Sequence, residues 1–210
     1  MSESRRKAQI IEAVERLLAR GGVDAVTMRA VAGEAGVSLR LVQYYGKSKD
    51  ELLTVTLDGL AGKSAQKWRA RTQQVGHSEP LNQVAAFFEE ALPRDPESQG
   101  FHRVGVSLEA LAITRPGIAG QAYQKHLSDL AEYLTDTLCR DTHLDGTQSR
   151  LIALEVMALA HGLGTLLMAD QLSQPEAQAL VKDYLERLRP RLAAPPSPAA
   201  TDTEPATGAN

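Results

Sequence analysis

Thr27-Met28-Arg29-Ala30-Val31-Ala32-Gly33-Glu34-Ala35-Gly36-Val37-Ser38-Leu39-Arg40-Leu41-Val42-Gln43-Tyr44-Tyr45-Gly46 is the stretch whose reading decides the fold. It holds two short helical patterns that meet at Gly36. The Thr27 hydroxyl is placed to cap a helix from Met28 to about Ala35, and Ser38 a second one ending near Tyr45, because each can accept a backbone amide that the first turn leaves unpaired. Val31, Ala32, Val37 and Val42 supply the internal contact between the two. Leu39, Arg40, Gln43 and Tyr44 then face outward. These are helix-turn-helix proportions. A recognition helix must enter the major groove with its first turns free, braced by the helix before it. Arg pairs with guanine and Gln with adenine there, while Tyr serves a phosphate or a thymine methyl. Helix-glycine-helix patterns also occur in many all-α proteins that bind no nucleic acid.

Outward from this stretch the pattern stays helical. Before it, Ile10, Ile11, Val14, Leu17 and Leu18 make one apolar stripe, which Gly21-Gly22 ends. After it, Ser48-Lys49-Asp50-Glu51 has the form of a capping box and opens a long helix to about Val75. Pro80 starts a fifth helix, Phe101 a sixth that runs to about Thr114, and a seventh runs to about Asp141. An eighth, about 148–169, is apolar nearly all round. A ninth carries the stripe Ala177, Leu180, Val181, Tyr184, Leu185, Leu188 and Leu192. No useful length alternates with period two, so no strand is expected. The expected fold is all-α, with about nine helices. Its expected divisions are 1–49, 50–192 and a Pro/Ala/Thr-rich tail over 193–210, whose composition suggests disorder.

Charge is uneven along the chain. The formal net charge is −3, yet residues 1–50 hold nine Lys or Arg against six Asp or Glu, and the rest is acidic. A basic N-terminal end points to a polyanion partner there. One cysteine, Cys139, excludes an internal disulfide framework and any multi-thiolate metal site, and fits a reducing, cytoplasmic compartment. Cys139 itself is read as a half-buried small hydrophobe. No run of eighteen or more uncharged apolar residues is present, so no membrane partner is expected.

Enzyme chemistry finds no support. His77, His102, His126, His143 and His161 lack metal-ligand spacing, and neither a nucleophile-elbow nor a phosphate-loop nor a dinucleotide motif occurs. His126 and Asp129 share a helix face as a surface pair. No catalytic residue, cofactor or metal is therefore expected.

The stretch from Thr27 to Ser38, with Leu41-Val42-Gln43-Tyr44-Tyr45 and Lys47-Ser48-Lys49-Asp50-Glu51-Leu52-Leu53, resembles the DNA-binding domain of the tetracycline-repressor (TetR) family. That resemblance implies a homodimeric regulator, most often a repressor. Its first three helices bind double-stranded operator DNA, its last two form a four-helix bundle between subunits, and a small-molecule effector binds between. Carried over by position, the DNA contacts fall on Thr27, Ser38, Leu39, Arg40, Gln43, Tyr44, Tyr45 and Lys49. The chain departs from the family pattern at Gly46, where a bulky apolar residue is usual. Either Tyr45 turns inward to replace it or the third helix ends early, and with the space open Gly46→Phe is expected to be tolerated or stabilising.

Phe88, Phe101, Leu108, Leu111, Tyr123 and Met157 are candidate walls of an effector pocket, with His102, His161 and Thr165 as polar anchors. For any single one of them, ordinary core or interface is the commoner role. His161 stands out because it lies in a nearly all-apolar helix beside Gly162 and Gly164, and a buried His needs a partner. The eighth and ninth helices, about 148–192, are read as the dimer bundle, since one subunit has too little chain left to cover them.

Overall fold

The computed structural model describes residues 3–75, 79–114 and 117–193. Among these lie nine helices: α1 (Glu3–Ala25), α2 (Met28–Ala35), α3 (Leu39–Tyr45), α4 (Lys49–Val75), α5 (Pro80–Ala91), α6 (Pro96–Thr114), α7 (Ile118–Asp141), α8 (Gly146–Met168) and α9 (Gln174–Ala193). No strand occurs among the described residues. The fold is all-α, as the patterning implies. His77, Pro116 and residues 194–210 lie outside the described residues.

Local chemistry sets most of the boundaries. Gly21 and Gly22 break the helical backbone of α1, with Gly22 at φ +61°, ψ −160°, a conformation open to residues without a Cβ. Thr27 Oγ1 accepts from the Ala30 amide at 3.1 Å, and Ser38 Oγ from the Leu41 amide at 3.2 Å. Gly36, between α2 and α3, is left-handed at φ +62°, ψ 36°. Two details differ from expectation. Helix α6 starts at Pro96 rather than Phe101, because the Asp95 carboxylate accepts the Ser98 amide at 2.8 Å with proline in the first turn. At the head of α4, Ser48 Oγ accepts the Glu51 amide at 3.2 Å, but the Glu51 carboxylate returns to the Lys47 amide at 2.7 Å instead of to Ser48.

Two cores hold the helices together. The first joins Ile10, Val14 and Leu18 of α1 to Val31, Val42, Leu52 and Leu53, and continues into Val104 and Leu108 of α6. The second joins Phe88 of α5 to Leu134 and Leu138 of α7, Ile152 and Val156 of α8 and Leu188 of α9. Fully burying one such Leu or Phe contributes roughly 1.5–3 kcal/mol. The first core spans position 49/50, because α4 and α6 pack directly on α1. What happens at the N-terminal helices is thereby mechanically tied to α4 and α6.

Helix α8 packs on α7, α5 and α9. By length and composition it is apolar enough to cross a membrane, with a mean hydropathy of 1.8. One side of it is core: Ile152, Ala153, Val156, Ala160 and Leu163 are buried. Its other side leaves Leu151, Leu154 and Leu166 exposed by 58%, 41% and 44%. Glu155 pairs with Arg191 of α9 at 2.7 Å and accepts the Tyr184 hydroxyl at 3.3 Å.

Candidate nucleic-acid interface and internal cavities

Helix α3 is short, so its orientation must come from its neighbours. Val42 is fully buried against α1 and α2, and Leu41 packs half-buried on the same core. Helix α2 is fixed in turn by Glu34, which takes Arg16 at 2.7 Å and also pairs with Arg20, and by Gln9, whose amide donates to the Ala35 carbonyl at 2.7 Å. Hydrogen bonds from Arg16 and Arg20 hold the Glu34 carboxyl below the usual carboxylate range. With its inner face spent on this bracing, α3 presents Leu39, Arg40, Gln43 and Tyr44 on one outer face. Tyr44 is 70% exposed. Thr27 and Ser38 lie exposed at the N-termini of α2 and α3, and Lys49 is half-buried at the start of α4. Helix N-termini with free amides favour phosphate.

Tyr45 is half-buried and packs on the first core, with its hydroxyl donating to the Glu3 carbonyl at 3.1 Å. The expected inward turn is present in this partial form. The Tyr44 hydroxyl donates to the Glu3 carboxylate at 3.3 Å, and the two rings meet edge to face at 5.1 Å. The charge of Glu3 pushes the Tyr44 hydroxyl above its ordinary pKa. Sequence reading missed Glu3, which lies far from α3 along the chain and sits in no motif.

The expected open space at Gly46 is corrected. Its backbone, at φ −159°, ψ 118°, is extended. A Cβ there would lie 2.7 Å from Leu52 Cδ2, 2.8 Å from Leu52 Cγ and 3.0 Å from the Leu52 amide nitrogen. Leu52 already fills the volume, so Gly46 is required by close approach.

Of the candidate pocket residues, four come together. Phe101, His102, Tyr123 and His161 line a cavity of about 100 Å³, with Leu57 and Leu60 of α4, Val106 and His126. Phe88 belongs instead to the second core, its ring 5.9 Å from that of Tyr184, and Met157 packs beside it. Leu108 is fully buried in the first core. Leu111 lines a separate groove of about 580 Å³ together with Lys49 and Asp50. Thr165 is exposed on α8. Apolar spacing marked these residues as inward without saying which interior they face.

His161 is also corrected, since its side chain is 48% exposed in this chain and stands 3.4 Å from Glu109 Oε1. The close approach at this end of α8 belongs to Gly164, against which the His102 ring sits so tightly that a Cβ would overlap it. His102 Nε2 is buried with no hydrogen-bond partner. Burial, helped by His161, pushes the His102 pKa down, and burial together with the nearby charge of Glu109 pushes Tyr123 up to about 12. His126 feels the charge of Asp129 but is not its main partner. Lys125 takes that carboxylate at 2.7 Å, and His126 turns to the cavity, its pKa lowered by burial.

A second cavity, of about 350 Å³, lies where α1, α4, α5 and α6 meet and is lined by charged groups including Glu15, Lys63, Arg94 and Arg103. Among the described residues no cluster of His, Cys, Asp or Glu has a metal-holding arrangement.

Comparison with known proteins gives this geometry its context. Residues 10–55 match the family model "Bacterial regulatory proteins, tetR family", and residues 80–190 match "BetI-type transcriptional repressor, C-terminal". The HTH-type transcriptional regulator BetI of Rhizobium meliloti is 43% identical over 63 residues, an alignment that spans only 30% of that relative's length and 30% of this chain. A TetR-family transcriptional regulator from Agrobacterium tumefaciens superposes with a TM-score of 0.72 at 19% identity, over 92% of this chain and all of that one, 100%. A Saccharomonospora viridis regulator, solved in complex with choline, gives 0.70 at 18% identity, over 89% of this chain and 96% of that one. The two structures share the fold. The family models cover the braced α2–α3 unit and the whole of α5 to α8, so the chain belongs to the TetR family of DNA-binding transcriptional regulators and carries a BetI-type C-terminal region.

Proposed function

We propose that this chain is a cytoplasmic repressor, and no enzyme, that binds a palindromic operator as a homodimer and is released by a small-molecule effector. The observation that carries the DNA reading is the outer face of α3. Leu39, Arg40, Gln43 and Tyr44 are exposed together on a helix whose inner face is locked by Val42 and Leu41. Arg40 and Gln43 read bases, each good bidentate contact contributing roughly 1–3 kcal/mol of discrimination. Tyr44, Lys49 and the helix starts at Thr27 and Ser38 take phosphates, and Tyr45 supports the end of the helix. The DNA-binding part corresponds to residues 1–49 and the effector and dimer part to 50–192, with 193–210 as a tail.

The exposed side of α8 supports the dimer. Leu151, Leu154, Ala158, His161 and Thr165 follow one another at steps of three and four along it, the spacing of a helix–helix seam. Leu180 adds exposed apolar surface on α9. A second copy of α8 and α9 covers these faces and places two α3 helices in successive major grooves.

The effector is proposed to occupy the cavity at Phe101, His102, Tyr123 and His161. At about 100 Å³ it admits a compact molecule, smaller than the drug-sized ligands that need roughly 300 Å³ or more. Two aromatic rings and three histidines line it, and no Lys or Arg does so among the described residues. This suits a compact cation, a class to which the choline of the Saccharomonospora viridis regulator belongs.

Selection of binding sites from random duplex DNA tests the DNA reading, run with the native chain and with Arg40→Ala/Gln43→Ala. A palindromic motif that the double variant loses or relaxes is expected. The same motif from both proteins, or no enrichment from a folded dimer, refutes it.

A further inference from the structure

The α3 face has an anion on it already. Glu3 is the single acidic residue ahead of Glu12 and stands two positions before the basic residues Arg5, Arg6 and Lys7, all exposed. In the fold the first turn of α1 lies against the end of α3. There the Glu3 carbonyl accepts the Tyr45 hydroxyl at 3.1 Å and the Glu3 carboxylate accepts the Tyr44 hydroxyl at 3.3 Å. The two bonds differ in kind. The first is to backbone and survives any substitution at position 3. The second ties an acid to Tyr44, the more exposed of the two large apolar side chains on the outer α3 face.

We propose that the Glu3 carboxylate is an internal stand-in for a DNA phosphate: it holds the Tyr44 hydroxyl in the free protein and is exchanged for a backbone phosphate when DNA binds. A tyrosine hydroxyl donates one hydrogen, so Glu3 and a phosphate compete for it. The competition is also electrostatic, since a phosphate arriving at Tyr44 comes within a few ångströms of the carboxylate. Two unit charges at about 4 Å interact by about 1 kcal/mol even at the dielectric constant of water, or about fivefold in affinity. Glu3 is thus a positioning residue with two effects. It keeps Tyr44 ordered before DNA arrives, and it sets the ceiling on non-specific affinity, so that the adjacent Arg5-Arg6-Lys7 run does not trap the protein on arbitrary sequence.

The inference rests on the DNA-binding reading, and its test separates the two. Binding of the full-length protein to a duplex of arbitrary sequence, about 30 base pairs long, is measured by fluorescence anisotropy over a range of salt. Phosphate contacts are independent of sequence, so no operator is needed. Glu3→Gln and Glu3→Ala are expected to bind about three- to tenfold more tightly than the native chain, with a steeper salt dependence. In a Tyr44→Phe background that gain shrinks to the through-space part of the repulsion. Without any DNA, the Tyr44 ring resonances are expected to shift in Glu3→Gln while those of Tyr45 stay in place. Native binding with Glu3→Gln equal or weaker overturns the proposal alone, as does an unmoved Tyr44 resonance. A native chain that binds no duplex at low salt overturns the DNA-binding reading and this inference with it.

Discussion

Gly46→Ala adds a single methyl group where the fold has no room for it. The cost is set by Leu52 and not by the backbone. Gly46 is at φ −159°, ψ 118°, which alanine adopts freely, and a smaller unfolded ensemble favours the variant by roughly 0.4–1 kcal/mol. Against that, the new Cβ stands 2.7 Å and 2.8 Å from Leu52 Cδ2 and Cγ and 3.0 Å from the Leu52 amide nitrogen. Rotating the side chain relieves the first two contacts but not the third, and Leu52 is 2% exposed with core on its other side. Overpacking of this kind costs about 1–3 kcal/mol. The net is a loss of about 1–2 kcal/mol, or about 2–8 °C in Tm for a chain of this size. Gly46→Phe loses more. Thermal unfolding of the full chain followed by circular dichroism measures it, with Leu52→Ala as the control. Alone, Leu52→Ala costs about 2–5 kcal/mol. In that background the cost of Gly46→Ala is expected to shrink to the part set by the amide nitrogen of residue 52, since the overlapping side-chain atoms are gone and the two positions couple. A Gly46→Ala protein that melts at or above the native temperature refutes the close-approach reasoning.

Three further outcomes are expected. Leu151→Glu/Leu154→Glu places two carboxylates on the exposed side of α8, and sedimentation should show the proposed dimer for the native chain and a folded monomer for the variant. His102 and His126 are both held below the ordinary imidazole pKa of 6.5, chiefly by burial. Their contribution to stability is full above that value and is lost as pH falls below it through their lowered folded values, so Tm should drop on the acid side of pH 6.5, less steeply in His102→Asn/His126→Asn. Glu34, lowered by Arg16 and Arg20, contributes above the ordinary carboxylate value of 4.5 and ceases to as pH falls below it. Glu34→Gln should therefore flatten the acid side of the melting profile, and the difference should fade in high salt.

The parts of this protein that could be read from the sequence are those decided within a few residues. Thr27, Ser38 and Gly36 set the α2–α3 turn through bonds that span four residues or fewer along the chain. The start of α6 was legible on the same terms, since Asp95 and Pro96 form a cap and first turn, yet the apolar pattern points to a start at Phe101. Which interior a residue faces is another matter. Phe88, Leu108 and Phe101 all show inward spacing, but the crossing of α5, α6 and α7 sends them to the second core, the first core and the small cavity respectively. Gly46 shows the limit most sharply. That it departs from the family pattern was legible, while the sign of its effect depends on Leu52 having moved into the space. His161 fails for a related reason. An apolar surround predicts burial without saying whether this chain or a second copy provides it.

The proposed release mechanism needs a mechanical link, and two glycine contacts supply its ends. At one end the Leu52 side chain of α4 sits against Gly46 without slack, so α4 cannot advance along its axis without moving the C-terminus of α3. Farther along the same helix, Leu57 and Leu60 form one wall of the small cavity. The opposite side holds His102 of α6, pinned on Gly164 of α8. A ligand that enlarges this cavity therefore has two ways to make room. It can push α4, which re-aims α3, or it can push His102 into α8, which shifts the exposed seam proposed to join the subunits. Either displacement alters the separation of two recognition helices in a dimer. Packed cores switch between discrete arrangements more readily than they deform, so the ligand acts by preferring one of them, with a coupling of typically 1–3 kcal/mol. The same linkage runs backwards. Operator DNA, by fixing α3 and through Leu52 the position of α4, must weaken ligand binding by the factor with which the ligand weakens DNA binding.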